Sequence, residues 1–320
     1  MSKSKKVVVV GDGAVGSTYA YTLLLQELAE TIVLVDVNAD RTLADSLDMT
    51  HAQPFTKRSP QQILSGDYSD AADADLVVIT ANAPAAQLKV GDSRLALLEG
   101  NIAMIKSITT SIMASGFDGI ILIASNPVDV ISRIVAEISG LPKARVIGSG
   151  TVLDSARMKS ILAAKFQIDP NDVSGYVIAE HGASSFTAWS SAQAAGVPLS
   201  IFAEREGFGA LDFDEIDEEI RQSGLEIFRM KGSTSYGIAS ALATITRAIF
   251  KNERTVLPVS SYLEDPVCGV SGLYIGIPTL ISAQGAERVI APELTAKEQE
   301  KLRQSAELLK RNYDSISGKL

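Results

Sequence analysis

The chain has 320 residues, 46% apolar and 21% charged, enough to bury a sizeable core and to build two domains. A formal charge of −9, with no basic cluster beyond Lys3-Ser4-Lys5-Lys6, argues against a nucleic-acid footprint. A single cysteine, Cys268, and only two histidines exclude an intrachain disulfide, fit a reducing compartment and leave too few ligands for a usual zinc site.

The N-terminal lysines followed by Val7-Val8-Val9-Val10 look like a secretion signal, but the apolar run is too short and gives way at once to Gly11-Asp12-Gly13. No stretch approaches the roughly 18–20 apolar residues that cross a bilayer. The expectation is a cytoplasmic protein with neither a membrane nor a nucleic-acid partner.

Lys6–Val10 is a continuous β-branched run, which predicts a strand buried on both faces of a parallel sheet. Gly11-Asp12-Gly13-Ala14-Val15-Gly16 follows, then a helical pattern through Tyr19, Leu23, Leu24 and Leu28. A second β-branched run, Thr31–Val35, ends at Asp36. Strand, G-x-G-x-x-G, helix, strand and an acid about twenty residues on form the context of a dinucleotide site; a methyltransferase-type nucleotide fold is the alternative. Gly11 would make the tight turn, Gly13 would let a pyrophosphate approach, and Gly16 would let helix and strand pack closely. Asp36 suits a ribose 2′-hydroxyl, and Val37-Asn38 offer no cation for a 2′-phosphate, so NAD is favoured over NADP.

Alternation of helix and strand continues: a helix over 40–49 with His51 just beyond it, a strand over 76–80, a long loop over 81–93, and a helix from Arg94 to about Ala114. A strand over 119–124 ends in Ser125-Asn126-Pro127-Val128-Asp129, another helix follows, and 146–150 is the last strand of the series. The pattern predicts an α/β fold with a doubly wound parallel sheet and ligands at the strands' C-terminal ends. The 81–93 loop is long for such a connection and suits a lid. Arg94 at its base and Asn126 at a strand end are open between surface or capping roles and ligand contact.

After Gly150 the pattern changes. The expected division is a dinucleotide-binding domain over 1–149 and a catalytic α+β domain over 150–320. Asp154 and Arg157 share one face of a helix, as a surface ion pair or as a carboxylate and guanidinium aimed into a cleft. His181 ends the strand-like Val177-Ile178-Ala179 run, either as a packing histidine or as a group that exchanges protons near neutrality. An acidic helix over 212–230, a small apolar helix ending near Phe250, strands at Thr255–Tyr262 and 272–277, and a charged C-terminal helix over 295–313 complete the chain.

Together, Gly11-Asp12-Gly13-Ala14-Val15-Gly16, Gly91-Asp92-Ser93-Arg94-Leu95, Asn126-Pro127-Val128-Asp129, Leu153-Asp154-Ser155-Ala156-Arg157 and Glu180-His181-Gly182 resemble the L-lactate/malate dehydrogenase family. The resemblance implies a Rossmann-type NAD-binding domain and hydride transfer between NADH and a 2-oxo acid, within a homo-oligomer, dimeric or tetrameric. It implies His181 as proton donor and acceptor for the C2 oxygen, Asp154 as its orienter, Arg157 as the anchor of the substrate carboxylate and Arg94 as the group that polarises the C2 carbonyl. Asn126 would lie beside cofactor and substrate, Thr234 would line the substrate pocket and Ile238 would pack on the nicotinamide. Ala14 and Val15 would belong to the cofactor loop.

Three departures sharpen the expectation. The loop reads Gln87-Leu88-Lys89-Val90, longer than in typical lactate dehydrogenases, so Leu88 or Gln87 takes the specificity position and an apolar substituent is welcome. Lys89 is the only cation of that loop, which disfavours the second carboxylate of oxaloacetate and with it malate dehydrogenase activity. Ala183 stands where the family has aspartate, and Lys159 and Ser174 stand at the arginine and histidine that bind fructose 1,6-bisphosphate, so little activation by that ligand is expected. The segment from Ser174 to Ser190 is similar to the L-2-hydroxyisocaproate dehydrogenase branch. The reading is therefore an NAD-dependent L-2-hydroxy acid dehydrogenase for pyruvate or a larger apolar 2-oxo acid such as 2-oxoisocaproate. A non-catalytic NAD-binding protein is the alternative from another class.

Overall fold

The structure is a computed structural model that describes residues 5–56, 61–82 and 94–317. The first half alternates strand and helix: β1 (Lys6–Val10), α1 (Ala14–Gln26), β2 (Thr31–Val35), α2 (Ala39–Ala52), β3 (Gln62–Ser65), β4 (Leu76–Ile79), α3 (Arg94–Ala114), β5 (Ile120–Ile123), α4 (Val128–Ser139) and β6 (Val146–Gly148). The second half opens with α5 (Val152–Phe166). Five two-residue strands follow, β7 (Val173–Ser174), β8 (Val177–Ile178), β9 (Phe186–Thr187), β10 (Gln193–Ala194) and β11 (Val197–Pro198). Then come α6 (Leu199–Arg205), α7 (Phe213–Lys231), α8 (Tyr236–Phe250), β12 (Thr255–Tyr262), β13 (Tyr274–Ser282), β14 (Gly285–Val289) and α9 (Ala296–Ser317).

β1 to β6 pair in parallel in the order β3-β2-β1-β4-β5-β6. The order reverses between β1 and β4, where a doubly wound sheet opens its ligand crevice. Continuous apolar strands arise because both faces are covered: Val7 and Val9 join the core with α1 and α8, Val8 and Val10 the core with α3, α4 and α9. The expected doubly wound α/β sheet is what the chain forms, with an addition. β12 pairs antiparallel with β6 through Ser260 and Gly148, and β13 and β14 follow, so nine strands form one sheet across residue 150.

Two local expectations change. His51 lies inside the last turn of α2 and not beyond it, on the exposed side. β3 had no sequence signature, because only Ile63 of its four residues is buried. Among the described residues, no helix is long and apolar enough to cross a membrane, and no group of three or more His, Cys, Asp or Glu is placed to hold a metal ion.

Candidate active site

The turn after β1 is set by sterics. Gly11 has φ +100°, and a Cβ there would come 2.5 Å from the Ala81 backbone N at the end of β4. A Cβ on Gly16 would lie 1.9 Å from the Gly11 carbonyl O, so α1 can sit this close to β1 only without a side chain. Thr80, just after β4, ties the turn down by donating its hydroxyl to the Gly11 O at 2.6 Å. Gly13 differs: a Cβ there would meet nothing within 4 Å. No contact among the described residues requires that glycine, which leaves the backbone open to the close approach of a pyrophosphate.

Other features of the loop fit NAD. α1 follows Gly13, which supplies no side-chain cap, and has no acidic residue in its first turn, leaving its N–H groups and positive dipole end for an anion. At the end of β2 the Asp36 carboxylate accepts from the Asp12 N at 2.7 Å and the Asn38 N at 3.0 Å, while Val37 beside it is fully exposed. Asp12 is buried, with neither carboxylate oxygen hydrogen-bonded among the described residues. Burial, then the Asp45 and Asp36 carboxylates, push its carboxyl up to about 7 against the pull of Arg41. Burial thus works against a full negative charge at the turn, where a pyrophosphate would approach.

His181 is held by four elements. Ala179, with φ +80°, pairs both backbone groups with Gly276 of β13 at 2.8 and 3.0 Å. The next amide, Glu180 N, donates to Ser305 Oγ of α9 at 3.1 Å, and His181 N donates to Asp129 Oδ2 of α4 at 2.8 Å. The ring Nδ1 meets Asp154 Oδ2 of α5 at 2.6 Å. A carboxylate only accepts, so Nδ1 carries the hydrogen and Nε2 is the nitrogen left for chemistry. Thr151 and Ser155 hold α5 in register by hydrogen-bonding the O and N of Val177 in β8, at 2.6 and 2.9 Å.

Asp154 also accepts from Arg157 Nη1 at 2.9 Å, so one carboxylate, 8% exposed, joins the imidazole and the guanidinium. Burial pushes the Asp154 carboxyl up, but the charges and hydrogen bonds of His181 and Arg157 outweigh it and hold it below the usual range. The His181 imidazole is pushed up to about 9, by the Asp154 carboxylate first, against burial; Asp129 adds to the rise and Arg157 opposes it. The ring side chain remains 26% exposed, enough to meet a ligand.

The Asp154–Arg157 pair thus turns inward to His181 rather than lying on the surface. Asn126 is exposed at the end of β5; its N–H donates to Asn82 Oδ1 at 3.3 Å and its O accepts from Asn101 at 2.9 Å. Thr234 and Ile238 are half-buried at the start of α8, which packs on α5 so closely that a Cβ at Gly237 would come 2.8 Å from Leu153. Gln87 and Leu88 lie outside the described residues, and so does the side chain of Arg94, whose backbone opens α3. Two residues escaped the sequence reading. Asp129 sits in the motif quoted for Asn126, and Gly224 of α7 leaves room for the Arg157 guanidinium, 2.9 Å from where its Cβ would be. A cavity of about 690 Å³ lined by Trp189, Leu199, Phe213, Lys297 and Lys301 shares no residue with this site.

Comparison with known proteins gives the constellation its context. The family model for the lactate/malate dehydrogenase NAD-binding domain matches residues 5–148, and that for the alpha/beta C-terminal domain of the same family matches residues 151–319. The chain is 46% identical to an L-lactate dehydrogenase of Pediococcus pentosaceus over 307 residues, 96% of this chain and 94% of that protein. It is 47% identical to one of Limosilactobacillus reuteri over 312 residues, 97% and 95% of the two chains. Among solved structures, the ligand-bound minor L-lactate dehydrogenase of Enterococcus mundtii aligns with a TM-score of 0.93 at 35% identity, covering 98% of each chain. A lactate dehydrogenase from a deep-sea metagenome library aligns with a TM-score of 0.93 at 38% identity, covering 98% and 99%. The chain belongs to the lactate/malate dehydrogenase family, as an NAD-dependent 2-hydroxy acid dehydrogenase.

Proposed function

We propose that this protein interconverts 2-oxo acids and L-2-hydroxy acids, with His181 as the proton donor and acceptor. The observation that carries the reading is the buried Asp154 carboxylate, which meets His181 Nδ1 at 2.6 Å and Arg157 Nη1 at 2.9 Å. In the reductive direction Arg157 binds the substrate carboxylate through paired N–H donors, a geometry lysine lacks. Arg94 polarises the C2 carbonyl, and Asn126 and Thr234 line the site. When bound, NADH supplies the hydride that adds to C2. His181 gives its Nε2 proton to the developing alkoxide and is left as a neutral imidazole, while Asp154 keeps the ring's orientation and stays ionised. Solvent then reprotonates the ring.

The cofactor is assigned to the turn of Gly11, Gly13, Ala14, Val15 and Gly16, with Asp36 on the adenosine ribose and Asn126 and Ile238 beside the nicotinamide. Exposed leucines on α1 and α2 (Leu25, Leu43 and Leu47) suit burial against a second copy, in line with a homo-oligomer. A cytoplasmic setting accords with the lone Cys268.

For the substrate, the relatives' name speaks for pyruvate, and Leu88 speaks for a larger apolar 2-oxo acid. Placing the second carboxylate of oxaloacetate beside Leu88 with only Lys89 near would cost roughly several kcal/mol. The test is kcat/KM with NADH over pyruvate, 2-oxobutyrate, 2-oxoisocaproate, phenylpyruvate and oxaloacetate, in wild type and His181→Asn. Efficiency should rise with apolar side-chain size and be lowest for oxaloacetate, and His181→Asn should lose roughly 10²-fold or more in kcat while binding NADH normally. A sharp optimum at pyruvate would overturn the role given to Leu88. Normal turnover by His181→Asn would overturn the mechanism.

A further inference from the structure

The mechanism above uses one carboxylate on His181, and the structure brings a second. Asp129 is 2% exposed in the first turn of α4, and its Oδ2 accepts the His181 backbone N–H at 2.8 Å. Its other oxygen has no well-formed hydrogen bond among the described residues, although the Ser260 hydroxyl of β12 lies near enough to act on the carboxylate. A surface acid would not be held this way: a buried carboxylate with one satisfied oxygen costs folding free energy. Retaining it needs a return elsewhere, and the group it touches is the catalytic histidine.

We propose that Asp129 is a positioning residue for His181, fixing the height of the imidazole through the backbone amide and adding a negative charge that favours the imidazolium. The inference rests on His181 being the proton donor. Geometry supports the first part. The three successive amides of residues 179, 180 and 181 are taken by β13, α9 and α4 respectively. Ala179 in a left-handed conformation does not hold itself there. Of these three ties only Asp129 reaches the histidine, and only Asp129 carries charge. Its place in the first turn also puts the carboxylate at the positive end of the α4 dipole, three residues after Asn126. One helix start thus serves both the candidate nicotinamide side and the proton donor.

Electrostatics supports the second part. Among the described residues, the charged groups that act most on the ring are Asp154 and Arg157 from α5 and Asp129 from α4, with Arg157 opposing the two acids. Asp129 is itself pushed up to about 6 by burial; the Ser260 hydroxyl of β12, the His181 N–H and the His181 charge pull it down, and Glu180 pushes it up. Above that pH it is ionised, which is the range in which the imidazolium must be kept.

Two substitutions in the full-length enzyme separate the hydrogen bond from the charge. Asp129→Asn keeps an acceptor for the amide and removes the charge. Its upper apparent pKa in the pH profile of kcat/KM for 2-oxo acid reduction should fall by roughly half to one unit, with NADH affinity within about twofold of wild type. Asp129→Glu keeps the charge and displaces the acceptor, so the profile should stay near its wild-type position while kcat falls by roughly tenfold or more. Nuclear magnetic resonance titration of the His181 ring gives the same shift independently of turnover. A wild-type profile in Asp129→Asn together with wild-type kcat in Asp129→Glu would overturn the proposal. His181→Asn in the same series separates the two readings: if it turns over normally, the proton-donor reading fails, and if it is inactive while both Asp129 variants behave as wild type, only the role of Asp129 fails.

Discussion

At the scale of single residues, the site works by charge balance around one imidazole. Asp154 holds a negative charge in a buried position because two cationic groups share it, and the same sharing lifts His181 to about 9. The sign follows from linkage: a histidine whose folded pKa exceeds its ordinary value contributes stability that is complete below that value and is lost as pH rises through about 9. In the proposed mechanism reduction consumes the imidazolium, so activity should hold across neutrality and decline near pH 9. Asp154→Asn removes the largest upward cause, so its decline should begin at least roughly one unit lower, with kcat reduced roughly tenfold or more. Profiles of kcat/KM for wild type and Asp154→Asn check this; coincident upper limbs would show that Asp154 does not set the ring's protonation. Here the sequence was informative up to a limit. Asp154 and Arg157 could be paired from helical spacing alone, since residues three apart share a face. Asp129 could not be paired with His181, because a hydrogen bond spanning 52 positions depends on how β5, α4 and the 179–182 segment meet in space.

At the scale of elements, the strand–turn–helix at the N-terminus shows that three glycines of one motif obey different constraints. Gly11 and Gly16 are fixed by the protein's own backbone, at 2.5 Å from Ala81 N and 1.9 Å from Gly11 O respectively. Gly13 meets no such constraint among the described residues. Gly16→Ala should therefore lower Tm without cofactor, by an overpacking cost of roughly 1–3 kcal/mol, and weaken NADH binding. Gly13→Ala should leave Tm near wild type and weaken NADH alone. Melting curves with and without NADH distinguish the cases, and equal losses of Tm would contradict this division. The elements that were legible in the sequence are those with a strong period: β1, β2, β4 and β5 as unbroken apolar runs, α3 and β12 with their observed bounds. β3 was invisible because an edge strand with one buried residue has no pattern, and the two-residue strands β7 to β11 are set by tertiary contacts.

At the scale of the molecule, two family domains share one sheet and the two cores that flank it. The proposed functional division falls at residues 149 and 150, yet the sheet passes straight through it, since β12 pairs with β6. Of three buried apolar clusters among the described residues, the two that flank the sheet are also composite. The core on the α1 side joins Val7, Val9 and Leu34 to Leu242, Ile245 and Ile281, and Tyr19 of α1 shares a 2.7 Å hydrogen bond with Thr246 of α8. The opposite core joins Val8, Ile79 and Ile131 to Ile277, Leu302 and Leu309. Cutting at the functional boundary would bare the edge of β6 and remove one wall from each of these two cores. The boundary is therefore one of ligand roles, and unfolding should be cooperative across it. The single tryptophan, Trp189, reports on the second half alone, whereas far-ultraviolet circular dichroism reports on both. Their denaturation midpoints should coincide, and NADH, held by the first half, should shift both together. A fragment of residues 1–149 should be aggregation-prone and lack a cooperative transition. Separate midpoints, or a fragment that melts cooperatively on its own, would make the halves independent domains that the shared sheet merely abuts.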